Sequence, residues 1–240
     1  VLEPGSTGAA LSFQFLDAAG RLGRTMDAEG RVVRYQHDDS GRLLSETWSS
    51  WTGDVARRLD YVHDPAGRLA QLDDLDLVDG FHSRLEFTHD AAGRVTSERL
   101  SVNGSVLSTL TSTFDASGLR TRLRDDLGAG STTDYGRDAA GRIASITRTV
   151  GGSLAARVAL GRDLAGRLTS LTRDAGPGSA TIVSTLGRDD ALNLNQVTHA
   201  LAGGATLAAY SAQFDASGRA TRELNDQSVL GLDYVHDANG

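Results

Sequence analysis

The 240-residue chain contains no cysteine and no lysine. Without Cys, no disulfide and no thiolate zinc site can form. The redox compartment stays open, because secreted proteins can also lack Cys. All 24 basic residues are Arg, set against 31 Asp and Glu, and the net charge of −7 is mixed along the chain. That balance argues against non-specific nucleic-acid binding, which needs a basic face. Aromatics are scarce at 5%, so any core leans on Leu, Val and Ala. No apolar run nears the ~18 residues of a membrane span. Proline occurs only three times, whereas there are 28 Gly, a proportion suited to many tight turns.

What the chain does have is a repeat. Asp-x-x-Gly-Arg followed by an apolar residue begins at Asp17, Asp27, Asp38, Asp64, Asp90, Asp138, Asp163 and Asp215. Its fixed positions are Gly20, Gly30, Gly41 with Arg42, Gly67 with Arg68, Gly93 with Arg94, Gly141 with Arg142, Gly166 with Arg167, and Gly218 with Arg219. Weaker copies start at Asp115, where Gly118 is followed by Leu119, and at Asp189, where Leu192 and Asn193 replace Gly and Arg. A last copy, Asp237 to Gly240, stops before its Arg. From Asp38 onward the gaps are 26, 26, 25, 23, 25, 26, 26 and 22 residues, after two gaps of 10 and 11. Such a period signifies repeat architecture.

The motif reads as a turn. An Asp carboxylate can accept hydrogen bonds from the backbone ahead of it, and Gly can close a type I turn in the left-handed region. Three residues before the Asp stand Tyr35, Tyr61, Phe87, Tyr135 and Tyr234, with Leu160 and Leu186 in the same place. Apolar residues follow the Arg. Aromatic and branched residues beside turn residues mark strands. Midway between motifs lie second turns, such as Asp79-Gly80, Asn103-Gly104 and Gly151-Gly152. One repeat is therefore strand, variable turn, strand, Asp-x-x-Gly turn. Arg94 to Val102 and Ser105 to Phe114 form such a pair, each roughly 30 Å long.

The expected fold is all-β. Tandem hairpins of about 25-residue period would form one long antiparallel sheet of roughly 17–20 strands, wide enough to curve or spiral. Dense Ala and Leu over Ser153 to Leu164 allow a helix, but the repeat phase favours strand. Residues 1–12 read as a lead-in and 13–240 as the array, incomplete at its C-terminus and so a fragment of a longer protein.

Gly30 to Leu43 resembles the Rhs/YD-repeat consensus Gly-x-x-x-Arg-Tyr-x-Tyr-Asp-x-x-Gly-Arg-Leu, with His37 at the second Tyr. The family comprises the shell repeats of Rhs polymorphic toxins, insecticidal toxin-complex subunits and teneurins. The resemblance covers residues 13 to 240. It departs before the Asp, where His, Arg or Phe replaces the Tyr of the YD pair. It implies a section of β-cocoon shell enclosing a toxin or other C-terminal cargo, with no catalysis of its own. Its partners would be the remaining shell repeats of the same polypeptide and the enclosed toxin. It implies a secreted or cell-surface protein delivered by a bacterial secretion system, although the first residues do not resemble a signal peptide. The alternative is a β-repeat module binding carbohydrate or a cell surface.

No catalytic, cofactor or metal residues are assigned. His37, His63 and His89 could stack as a rim ladder, but a solvated rim position that Arg also fills explains them better. Arg of one hairpin could pair with Asp of the next. Asp73 to Gly80 lacks the acidic spacing of an EF-hand. Asp64-Pro65-Ala66-Gly67 is an ordinary repeat turn. Trp48 and Trp51, at a variable turn, are the candidates for stacking on a glycan. Unpaired edge strands offer a route to self-association.

Overall fold

In the computed structural model, residues 12–226 and 231–236 are described. The lead-in up to residue 11 and the last motif at Asp237 lie outside them. All assigned strands belong to a single sheet. By its contacts the chain divides into two compact units, residues 1–112 with 125–127, and residues 113–124 with 128–240.

The first unit carries β1 (Ser12–Leu16), β2 (Leu22–Asp27), β3 (Val32–His37), β4 (Leu43–Ser49), β5 (Val55–His63), β6 (Leu69–Asp76), β7 (Phe81–His89), β8 (Val95–Val102) and most of β9 (Ser105–Phe114). Each pairs antiparallel with the strand before it, from β1–β2 through β8–β9. The expected Arg94 to Val102 and Ser105 to Phe114 pair is β8 and β9, joined by Asn103 (φ 47) and Gly104 (φ 80). Positive φ at both central residues is the two-residue turn whose twist matches the strands.

The second unit carries β10 (Arg120–Asp125, its last residue aside), β11 (Ser131–Arg137), β12 (Ile143–Val150), β13 (Ser153–Arg162), β14 (Leu168–Asp174), β15 (Ile182–Arg188), β16 (Leu194–Leu201), β17 (Thr206–Phe214), β18 (Ala220–Asn225) and β19 (Leu232–Asp233). From β11 to β19 each strand again pairs antiparallel with the next. The stretch from Ser153 is strand, so the local helix propensity of Ala and Leu yields to the ladder on both sides.

Residues opposite one another in a register share a face, and so do residues two apart. In the first unit one face therefore collects Leu59, Tyr61, Leu72, Leu85, Phe87, Leu100 and Leu110. The other collects Gln36, Ser45, Asp60, Asp73, Arg84 and Ser101. Its exception is at the start, where Phe13, Met26 and Val32 line up on the polar side. In the second unit Tyr135, Ile146, Val158, Leu160, Leu171, Leu186, Val197 and Tyr210 share one face. Gly136, Ser145, Ala159, Thr172 and Thr185 stand on the other. Most strands are thus mainly apolar on one side and small or polar on the other, with β18 reversed: its Thr221, Glu223 and Asn225 share the face of Tyr210.

No second layer covers the apolar side among the described residues. Among the described residues Val32, 5% exposed, is the one buried apolar side chain, and no large side chain is fully buried. Hydrogen-bonded ladders and side-chain rows on the sheet do the work usually done by a core.

Candidate functional site

The feature repeated with least variation is the Asp-x-x-Gly-Arg turn. Its geometry is the same at each clear copy. At Asp64 the Gly67 amide donates to the Asp64 carbonyl (2.8 Å), and the Asp64 amide donates to the Arg68 carbonyl (2.8 Å). Gly67 takes φ +81. Asp64 Oδ1 accepts from the Ala66 amide (2.9 Å) and the Arg68 amide (3.0 Å), while Oδ2 accepts from Arg68 Nε (2.7 Å). This is a type I turn closed by a left-handed Gly with a bulge, and the register shifts there, between Val62 and His63. The same bonds recur at Asp17, Asp38, Asp90, Asp138, Asp163 and Asp215. The Arg68 side chain and amide hold Asp64 below the ordinary aspartate range. At Asp38 the Arg42 amide is the larger influence in the same direction.

The Arg also acts on the following turn, and not through its Asp carboxylate as the sequence suggested. Arg21 Nη1 donates to the Asp38 carbonyl (2.7 Å) and Arg68 Nη1 to the Asp90 carbonyl (2.9 Å). The carboxylate contact stays inside the Arg's own turn because the two are four residues apart across the bulge. Glycine therefore has two tasks. It takes positive φ, and it leaves room for the preceding Arg: a Cβ at Gly67 would lie 3.2 Å from Arg42 Nη1, and one at Gly166 would collide with the Arg142 guanidinium. Two pairs of turns along this rim are stapled in this way, Asp17's to Asp38's and Asp64's to Asp90's.

The degenerate copies show which parts are separable. At Asp189, Asn193 Nδ2 replaces the guanidinium on Oδ2 (3.0 Å), and Leu192 is forced to φ 70. At Asp115, Oδ1 still accepts from the Ser117 and Leu119 amides, at 2.9 Å each. The variable turn that carries Trp51, marked in the sequence, is a disguised copy of the motif turn, and that likeness was missed. Ser50-Trp51-Thr52-Gly53-Asp54 closes with the same backbone bonds, Gly53 amide to Ser50 carbonyl and Ser50 amide to Asp54 carbonyl. Ser in the Asp position four residues before an acid was the available clue.

The histidine ladder departs from expectation. His37 and His63 have buried Nδ1 atoms with no hydrogen-bond partner, and the His89 side chain is 9% exposed, 3.9 Å from Asp64 Oδ2. These ring nitrogens and the His89 side chain are thus shielded at the rim, more than a fully solvated position would be. Where Arg replaces His, it bonds the turn carbonyl, as Arg162 Nη1 does to Gly166 O (3.1 Å). Among the described residues no cluster of His, Asp and Glu is gathered as a metal centre. The acidic stretch on β6 is committed to Arg on opposite faces. Asp73 accepts from Arg84 (2.7 Å), His82 (2.8 Å) and Gln71 (2.5 Å), whereas Asp74 takes Arg57 (2.7 Å). Burial pushes Asp73 up, but these donors outweigh it and hold it low. Tyr61 is pushed up to about 12 by burial and by its bond to Glu46.

One serine has a histidine neighbour: Ser184 Oγ lies 2.7 Å from His199 Nδ1. Arg173 Nη2 donates to the same oxygen (2.9 Å), and Ser184 is 2% exposed. A nucleophile must reach substrate, and this oxygen is sealed and already engaged.

Trp48 and Trp51 are at the irregular rim. The Arg57 guanidinium lies over the Trp48 ring (5.6 Å), and Trp51 is 77% exposed, its Cβ 3.2 Å from where a Gly30 Cβ would stand.

The family model RHS Repeat matches residues 13–47. That match is confined to the first 35 residues of the repeat array. The matched span holds the first turns of the stapled rim, Asp17 to Arg21 and Asp38 to Arg42, along with the Asp27 turn opposite them. Among solved structures, this chain is similar to TcdB2-TccC3-TEV, with TM-score 0.47, 14% identity, and 92% of this chain and 15% of that chain covered. It is also similar to TcdB2-TccC3, with TM-score 0.35, 14% identity, and 92% and 16% covered. A porin-like protein from Bacteroides uniformis gives TM-score 0.30 and 11% identity, with 88% of each chain covered. The chain thus spans about 15% of the length of the first of these. No curated protein matches it.

Proposed function

We propose that the chain is a wall section of an RHS-type shell that encloses and protects a toxin or other cargo, working outside the producing cell and carrying out no chemistry itself. The observation that supports this reading most is the sheet's construction. Within each unit it is a sheet with one predominantly apolar face and one predominantly polar face, and Arg21 and Arg68 each reach from their own turn to the next one on the rim. A free-standing enzyme or receptor domain buries a core; a wall needs only two different faces and edges that continue. The remaining repeats of the same polypeptide are the partners this reading requires, with residues 13–240 as the array.

Solution scattering with a molar-mass measurement on the 240-residue chain tests it. A compact monomer would have a radius of gyration near 18 Å. A larger value, or mass that rises with concentration through open edges, is the expected result; a compact monomer at all concentrations would refute the wall reading.

A second reading, glycan binding, draws on the exposed Trp51 indole at the irregular rim. Aromatic faces stack on sugars, and Trp48 already carries a cation on one face. Glycan-array binding that disappears in Trp51→Ala would support it, and equal binding by the variant would exclude Trp51.

A further inference from the structure

The second unit holds a polar concavity that the wall reading does not use. It measures about 220 Å³ and is lined by Arg122, Arg124, Thr132 and Thr149 with the turn residues Gly130 and Gly152. Four of these side chains point to one side. Thr132 and Thr149 are direct cross-strand partners on β11 and β12. Asp134 is two residues from Thr132 and bonds Arg122 Nε (2.6 Å), which puts Arg122 on that face too. Arg124 follows Arg122 by two on β10 and so projects the same way.

The charges are uneven. Asp134 neutralises Arg122, while Arg124 is exposed and makes no hydrogen bond or ion pair among the described residues. No carboxylate lines the concavity, in a chain whose net charge is −7. Strand geometry spaces Arg122 and Arg124 by about 7 Å along β10, wide enough to hold a tetrahedral anion between two guanidinium groups. The paired threonines supply hydroxyl donors opposite. Gly152, at φ +82, has nothing within 4 Å of where its Cβ would stand, so the mouth is open.

We propose that this concavity binds a small tetrahedral oxyanion, the phosphate or sulfate group of a larger ligand, with Arg124 as its principal cation. Ion recognition needs a charged donor free to turn to the ligand and neutral donors to complete the shell; Arg124 and the Thr132–Thr149 pair provide these in one place.

Calorimetric titration of the 240-residue chain with inorganic phosphate and, separately, with sulfate at constant ionic strength tests the proposal. Saturable binding of at least one anion is expected, weakened about tenfold by Arg124→Gln. Thr149→Val should weaken it less. Arg157→Gln, on the same face but outside the concavity, should leave it unchanged. Phosphate bound in preference to sulfate would assign phosphoryl groups, and the reverse would assign sulfate esters. Circular dichroism of each variant checks that the strands persist. Absence of saturable binding, or binding undiminished in a folded Arg124→Gln chain, would overturn the proposal.

Discussion

At the scale of single residues, the turn glycines separate two demands that usually coincide. Gly20 (φ +77) and Gly166 (φ +83) share a backbone conformation, yet a Cβ at Gly20 would meet nothing within 4 Å, while one at Gly166 would strike the Arg142 guanidinium. Ala in the left-handed region costs about 1 kcal/mol at either site. Gly166→Ala must also displace the preceding Arg, so it should cost about 1 kcal/mol more than Gly20→Ala. Urea melts of the two variants measure the difference. Arg142→Ala in the Gly166→Ala background should remove most of the excess, because the clash then has no partner.

At the scale of the hairpin, the staple makes an Arg worth more on one rim than on the other. Arg68 bonds Asp64 within its turn and the Asp90 carbonyl in the next. Arg31, on the opposite rim, bonds Asp27 and is 74% exposed. Exposed ion pairs contribute little, whereas a lost bond to a partly buried carbonyl leaves that acceptor unsatisfied. Arg68→Ala should cost about 1–2 kcal/mol, and Arg31→Ala clearly less. Amide exchange in the Arg68 variant should accelerate in the turn after it, around Gly93, and not only in its own. The turns and strands themselves were legible in sequence, since Asp, Gly and Arg each declare a local task and Tyr61 or Leu160 recurs in phase with them. What a strand-by-strand reading could not supply was anything set by the neighbouring hairpin. The reach of Arg68 to Asp90 and the approach of His89 to Asp64 depend on the register between successive hairpins. The turn at Ser50 was marked, but its likeness to the motif escaped for another reason: its backbone bonds survive replacement of the motif's Asp by Ser and its Arg by Asp.

At the scale of the whole molecule, repetition turns small local effects into collective ones. The turn aspartates Asp17, Asp27, Asp38, Asp64, Asp90, Asp138, Asp163 and Asp215 are all held below the ordinary value. In the unfolded chain they would titrate near 3.9. The folded state thus binds fewer protons, and this contribution is complete above that pH and disappears as pH falls through the lower folded values. Thermal melts should be flat in this respect from pH 7 to about 5 and fall together below pH 4. A second collective consequence concerns heat capacity. Unfolding raises it chiefly by exposing apolar surface, by about 12–15 cal/mol/K per residue in ordinary globular proteins, or about 3 kcal/mol/K for a chain of this length. Here the apolar face already meets solvent, and Val32 is the one buried apolar side chain among the described residues. Calorimetry on dilute monomer should therefore give an increment well below the ordinary one. It should rise toward that value only when the face is covered, whether by association at high concentration or by the neighbouring repeats of a longer chain. A full increment in dilute monomer would mean that the second face is buried in solution, and the one-layer wall would have to be abandoned.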